Sequence, residues 1–188
     1  VCDVRSVGPD TWNNWKATLI RQLYSETRLT LEQGGEALNS ENRMAEAKKS
    51  LREKLFDWDP KDIKLEMGRH YPPYWQGFQL GAQFVFAKLL KNLGSDEIKI
   101  DLTPDTDRDA TRICFALSDH PGIFSLLSGA LALVGANVVD ARSYTSKDGF
   151  ATAAFWIQDL DGAPYDQTRF SRLRGMIEKT LSGEIITR

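Results

Sequence analysis

The sequence predicts an α+β chain, helical in its first half and built on an antiparallel sheet in its second. Three observations carry this. Apolar residues recur at helical spacing from Trp12 to Leu89. Beyond Gly94 the spacing falls to two, in "EIKIDLTP" (97–104) and "TRICFALS" (111–118). From there the order is strand, strand, helix, strand, strand, helix, which places helices on one face of an antiparallel sheet.

Each element has its own local reason. Asp10 is a good N-cap for a helix whose inner face carries Trp12, Trp15, Leu19, Leu23, Thr27 and Leu31. Gly34-Gly35 stops it. A second helix starts near Asn39 or Ser40 and turns Met44, Ala47, Leu51 and Leu55 inward. Asp59-Pro60 pairs an N-cap with an N1 proline, so a short helix covers about 60–69. "HYPPYW" (70–75) breaks it, and His70 there reads as a turn residue. A further helix, with Phe78, Ala82, Val85 and Leu89 on one face, ends at Gly94. In the second half, strand 111–118 runs through "DHPG" (119–122) into a helix, and "NVVDARSYTSKDG" follows as a strand. Asp148-Gly149 is a hairpin signal, and "FATAAFWIQD" returns as its partner. The last helix begins near Asp166, carries Phe170, Leu173, Ile177 and Leu181 on one face, and meets Gly183. On strand 150–158, Ala151, Ala153, Phe155 and Ile157 are expected under the helices. The opposite set, with Trp156, then needs a cover from the helical region or a partner.

Composition bounds the function. A hydrophobic content of 41% and a charged content of 27% describe an ordinary globular chain. A net charge of −2 gives no global attraction to nucleic acid or anionic membrane. No apolar run approaches membrane length. Cys2 and Cys114 have no metal-ligand spacing, which points to a reduced, cytoplasmic setting. The chain opens without methionine inside the phrase "VCDVRSVGP", so a piece of a longer protein is expected. Neither His70 nor His120 has the companions a metal site needs.

The corner at Asp119 is the candidate site. A helix entered through a tight turn offers the unpaired N–H groups of Gly122, Ile123 and Phe124 to a carboxylate or phosphate. Gly122 keeps the backbone accessible, and Asp119 accepts from an ammonium group. The other reading is purely structural: Asp119 caps the helix and Pro121 fixes its first turn.

The phrase "DHPGIFSLLSGALALVGANVVDARSYTSKDGFATAAFWIQDLDG" resembles the first ACT domain of the PII-uridylyltransferase/uridylyl-removing family. "VGPDTWNNWKATLIRQLY" and "RHYPPYW" extend the likeness over nearly the whole chain. Ile123 and Val138 stand where the family has leucine and isoleucine. The resemblance implies a helical region over 1–94, from the end of an HD-type hydrolase domain and a linker, and a ferredoxin-like ACT domain over 95–188. The ACT domain's usual last strand would be missing, and strand 97–104 would take its edge beside 111–118.

An amino acid is expected where the loop of one ACT domain meets the second strand of a partner. The resemblance assigns Asp119, Pro121, Gly122, Ile123 and Phe124 to the loop, and Asn137, Val138 and Val139 to the strand. Asn137 can donate and accept, or simply start the strand. Asp140 and Arg142 read as a surface pair. The implied partners are L-glutamine, the PII signalling protein, and a second ACT domain or a further copy of the chain. The whole enzyme would use a divalent metal, of which Asp3 would be one ligand, and this chain alone is expected to hold no catalytic residue. Two other readings stand beside glutamine sensing: an ACT adaptor docked on the HD domain, and, more remotely, an RNA-binding sheet, which would need exposed aromatics.

Overall fold

The computed structural model describes residues 36–182 and, before them, helical positions 17, 20, 21, 23–25, 27, 28 and 31. The expectations for Asp3, Asp10, Trp12, Trp15, Leu19, Gly34-Gly35 and Gly183 fall outside the described residues.

Helix α1 spans Glu36–Lys54, and Leu51 on it and Leu55 directly after it are both fully buried in the core. Met44 and Ala47 pack against the same cluster, as the spacing predicts. Helix α2 spans Pro60–Arg69, with Asp59 accepting from the Lys61 N–H at 2.8 Å. The prolines of "HYPPYW" do more than break α2. His70 and Tyr71 are extended, and Pro72 then opens a second short helix, α3 (Pro72–Gly77). A proline ring suits the first helical position because its φ is already helical and its missing N–H has no partner there anyway. Helix α4 spans Leu80–Leu90 and stops four residues before Gly94. It buries Ala82, Gln83, Phe86, Ala87 and Leu90, while Val85 and Leu89 are only partly covered.

The sheet consists of β1 (Lys99–Asp105), β2 (Ala110–Ser118), β3 (Asn137–Thr145) and β4 (Phe150–Gln158). Its order is β1-β2-β4-β3, and every pair is antiparallel. β1 therefore holds the edge beside β2, as the sequence places it. Helix α5 (Ile123–Leu133) links β2 to β3. A 3₁₀ turn at Gln167–Arg169, capped by Asp166, leads into α6 (Phe170–Leu181). This is the ferredoxin-like arrangement expected of an ACT domain.

Alternation along the strands decides what each face meets. Ile113, Phe115, Leu117, Ala151, Ala153, Phe155 and Ile157 form one core with Leu127, Leu131, Leu173 and Ile177 of α5 and α6. Cys114, Ala154 and Trp156 point the other way, into a second core with Leu51, Leu55, Tyr74, Trp75, Phe78 and Phe86. The helical region is thus the cover that the Trp156 face required. Burying each such large apolar side chain stabilises the fold by about 1.5–3 kcal/mol. Trp156 is itself buried between the sheet and the helices.

Candidate functional site

The β2–α5 corner differs from the capped helix start considered above. Gly122 occupies the N-cap position at φ 87°, a left-handed conformation suited to glycine, and no side chain caps α5. Asp119 instead reaches sideways. Its N–H donates to the Gly149 carbonyl at 2.9 Å, and its Oδ2 accepts from Thr145 Oγ1 at 2.6 Å. The carboxylate therefore bonds the end of β3 rather than the helix. The Ile123 N–H is also engaged, donating to the His120 carbonyl at 3.2 Å. Asp119, His120, Pro121 and Gly122 are exposed, and a Cβ added at Gly122 would meet nothing within 4 Å. Ile123 is buried in the core, and Phe124 lays its ring on Phe155 at 5.2 Å. Only part of the predicted loop set thus faces outward.

The strand residues lie elsewhere. Asn137 begins β3 opposite Gln158, whereas Asp119 bonds Thr145 at its other end. Eight residues of strand separate the two ends, roughly 26 Å at 3.3 Å per residue. Asn137 lines a cavity of about 410 Å³ with Gly135, Ala136, Asp159 and Leu160. Val138 is exposed, and a register shift at Val138/Asp140 leaves Val139 packed against the helical region. Within one chain the two predicted half-sites do not meet.

The turn that holds Asp119 is gripped from its other side by α2. The Lys147 N–H donates to the Arg69 carbonyl and its Nζ to the Gly68 carbonyl, both at 2.8 Å. Arg69 Nη2 lies 3.0 Å from Asp148 Oδ2 and its Nη1 3.2 Å from Glu66 Oε2. Glu66 also accepts from His70 Nε2 at 3.1 Å, and the His70 ring stacks on Tyr74 at 3.5 Å. His70 is therefore a buried member of a polar network, not an exposed turn residue. Its extended backbone at the α2–α3 junction drives the ring inward beside Tyr74. Turn 146–149 thus has two holders, α2 on one side and Asp119 on the other. Glu66, Arg69 and Lys147 escaped the sequence reading, although Glu66, Arg69 and His70 at spacings of three and four already share one helical face.

Asp140 and Arg142 are likewise not a surface pair. Both are half-buried and face the helical region, with Arg142 Nε 3.6 Å from Asp140 Oδ2 and Arg142 donating to the Gly77 carbonyl. Arg108 stacks 3.8 Å over the Trp156 ring, whose Nε1 donates to Asp105 Oδ2 at 2.7 Å. Burial lowers the Arg108 pKa, against the opposing pull of Asp105 and Asp140. Burial also pushes the Cys114 thiol up to about 12, leaving it protonated and inert. Among the described residues no three His, Cys, Asp or Glu side chains are grouped to hold a metal ion, and no helix is long and apolar enough to cross a membrane.

No protein-family model matches the chain. Curated relatives do. It is 64% identical to the bifunctional uridylyltransferase/uridylyl-removing enzyme of Cereibacter sphaeroides, over 100% of the chain and 20% of that protein. The protein of the same name from Ruegeria pomeroyi is 60% identical over 100% of the chain and 21% of its own length. That from Gluconobacter oxydans is 37% identical over 98% of the chain and 20% of its length. The chain spans about a fifth of the curated relatives it matches. Along its whole length the chain is thus similar to a segment of about one fifth of the bifunctional uridylyltransferase/uridylyl-removing enzymes.

Proposed function

We propose that this chain is a regulatory part of such an enzyme, in which an ACT-type domain senses L-glutamine. Through it the whole cytoplasmic protein would adjust the uridylylation and deuridylylation of PII. The carrying observation is the double hold on turn 146–149, by Asp119 and Thr145 on one side and by Arg69 on the other. A ligand ammonium group at the corner competes with the Thr145 hydroxyl for the Asp119 carboxylate. Such a ligand shifts an equilibrium only if it binds two states of that turn unequally. The turn's grip on α2 then hands the difference to the helical region. Asn137, Val138 and Val139 would come from a second ACT domain or a further copy of the chain, since one chain keeps them remote from its own corner. Nucleotidyl transfer and hydrolysis, with their divalent metal, would belong to the rest of the protein, Asp3 supplying one ligand.

A structural adaptor is the second reading. It is favoured by the closed interface between the sheet and the helical region, with effector binding placed in another ACT domain. Calorimetric titration with L-glutamine, against L-glutamate and D-glutamine, separates the two. Saturable heat for L-glutamine alone, lost in Asp119→Ala, supports sensing. Absence of heat at millimolar ligand, with native circular dichroism, supports the adaptor.

A further inference from the structure

A groove of about 530 Å³ runs between α2 and turn 146–149, with Lys61, Lys64, Leu65 and Gly68 on one wall and Lys147 and Asp148 on the other. Arg69 at its base already neutralises the Glu66 and Asp148 carboxylates. The Lys61 and Lys64 ammonium groups have no carboxylate partner among the described residues. Lys64 and Arg52 share the adjoining depression. The Lys48 pKa is lowered, first by burial and then by the charges of Lys147 and Arg52, so these cations crowd one rim. A chain of net charge −2 has thus lined this groove with Lys61, Lys64, Arg69 and Lys147, and has set Arg52 and Lys48 nearby. Two apolar rungs stand beside them, Leu65 at 58% and Tyr71 at 52% exposure.

We propose that this groove docks an acidic segment of a partner protein, one that carries an apolar side chain among its carboxylates. A compact phosphate favours a fan of backbone N–H groups at a helix N-terminus. This groove instead meets the carbonyl end of α2, already capped by Lys147. A nucleic-acid strand calls for successive stacking rings, where this rim supplies Tyr71. Spread ammonium groups flanking an exposed leucine and tyrosine suit an extended acidic peptide better than either. The inference is independent of glutamine sensing, although a segment seated here touches the same turn that holds Asp119.

Fluorescence anisotropy of the chain with a labelled peptide of alternating glutamate and leucine tests this, beside a peptide with glutamine for every glutamate. Tighter binding of the glutamate peptide is expected, weakening as salt rises. The double variant Lys61→Glu, Lys64→Glu is expected to lose about tenfold in affinity, two surface pairs at the strong end of their range. The double variant Arg174→Glu, Lys179→Glu on α6 serves as the charge-matched control and leaves binding unchanged. Circular dichroism checks the fold, which both exposed lysines leave intact. Equal binding of the two peptides, or equal loss in the α6 double variant, overturns the proposal. So does inorganic phosphate or labelled oligouridylate binding more tightly through the same two lysines.

Discussion

Thr145 Oγ1 donates a 2.6 Å hydrogen bond to Asp119 Oδ2, which ties the start of the β2–α5 corner to the last residue of β3. The two residues are 26 apart in sequence. Their bond makes the corner and the hairpin one mechanical unit. Thr145→Val removes the donor but keeps the β-branched shape that the strand favours. A loss of about 1 kcal/mol in urea unfolding is expected, the usual net contribution of one hydrogen bond. Thr145→Ser, which restores the hydroxyl, is expected to recover most of it. A loss in Thr145→Ser with none in Thr145→Val would mean that the methyl group matters and the bond does not.

Arg69 sits between two carboxylates in a nearly closed site, so its removal strands buried charge. Arg69→Met is expected to destabilise the chain by about 3–5 kcal/mol, as breaking a buried pair does. Glu66→Gln keeps the shape and one oxygen that accepts from Arg69, while its amide N–H is placed to donate to the neutral His70 Nε2, so a smaller loss is expected. Hydrogen exchange adds a local readout. In Arg69→Met the Lys147 amide, which donates to the Arg69 carbonyl, is expected to exchange faster than the amides of α6.

Gly77 and Tyr144 are in close approach where α3 meets β3. A Cβ at Gly77 would land on the Tyr144 hydroxyl, and that ring is wedged against Phe78 at 5.1 Å. Gly77→Ala is expected to cost about 1–3 kcal/mol by overpacking. Adding Tyr144→Phe removes the nearest atom and is expected to return part of that loss, so the double-mutant cycle is non-additive. Additive effects would show that the helical region shifts freely over the sheet.

Gly122 and Gly129 are expected to respond to alanine with opposite signs. Neither would place a Cβ within 4 Å of a neighbour, so only backbone terms remain. Gly122 is left-handed, and alanine there is expected to cost about 1 kcal/mol. Gly129 lies inside α5, where alanine is expected to gain about 0.5–1 kcal/mol. Thermal unfolding of the two single variants tests both.

Cys114 gives the chain an alkaline limit. Its folded pKa of about 12 exceeds the free thiol's 9.0, so between these values the unfolded chain has lost a proton that the folded chain keeps. The thiol's contribution is complete below pH 9.0 and disappears as pH rises to about 12. Tyr74, raised by burial and then by Glu66, acts in the same direction. Cys114→Ala is expected to flatten the decline of stability above pH 9.0.

The elements themselves were legible because their signals are local. Asp59-Pro60 starts α2, Asp148-Gly149 turns the hairpin, and the period change after Gly94 announces the sheet. The two faces of β4 were also readable, since alternation assigns Phe155 and Trp156 to opposite cores. The bonds of Asp119 were not. Capping is the local option for an aspartate before a helix, and only a partner 26 residues away competes with it.

The sequence by itself determined α1, α2, α4, α5 and α6, the strands, their order and the need to cover the Trp156 face, though not α3, because period and turn chemistry act over a few residues. Tertiary structure decided the rest. It sank His70, Glu66 and Arg69 into one network with Asp148, and it turned Asp140 and Arg142 toward the helical region. It also put Asn137 and Asp119 at opposite ends of the sheet. Those outcomes depend on which surfaces meet. An ion pair or a buried ring exists only once two distant segments exclude water from the same place.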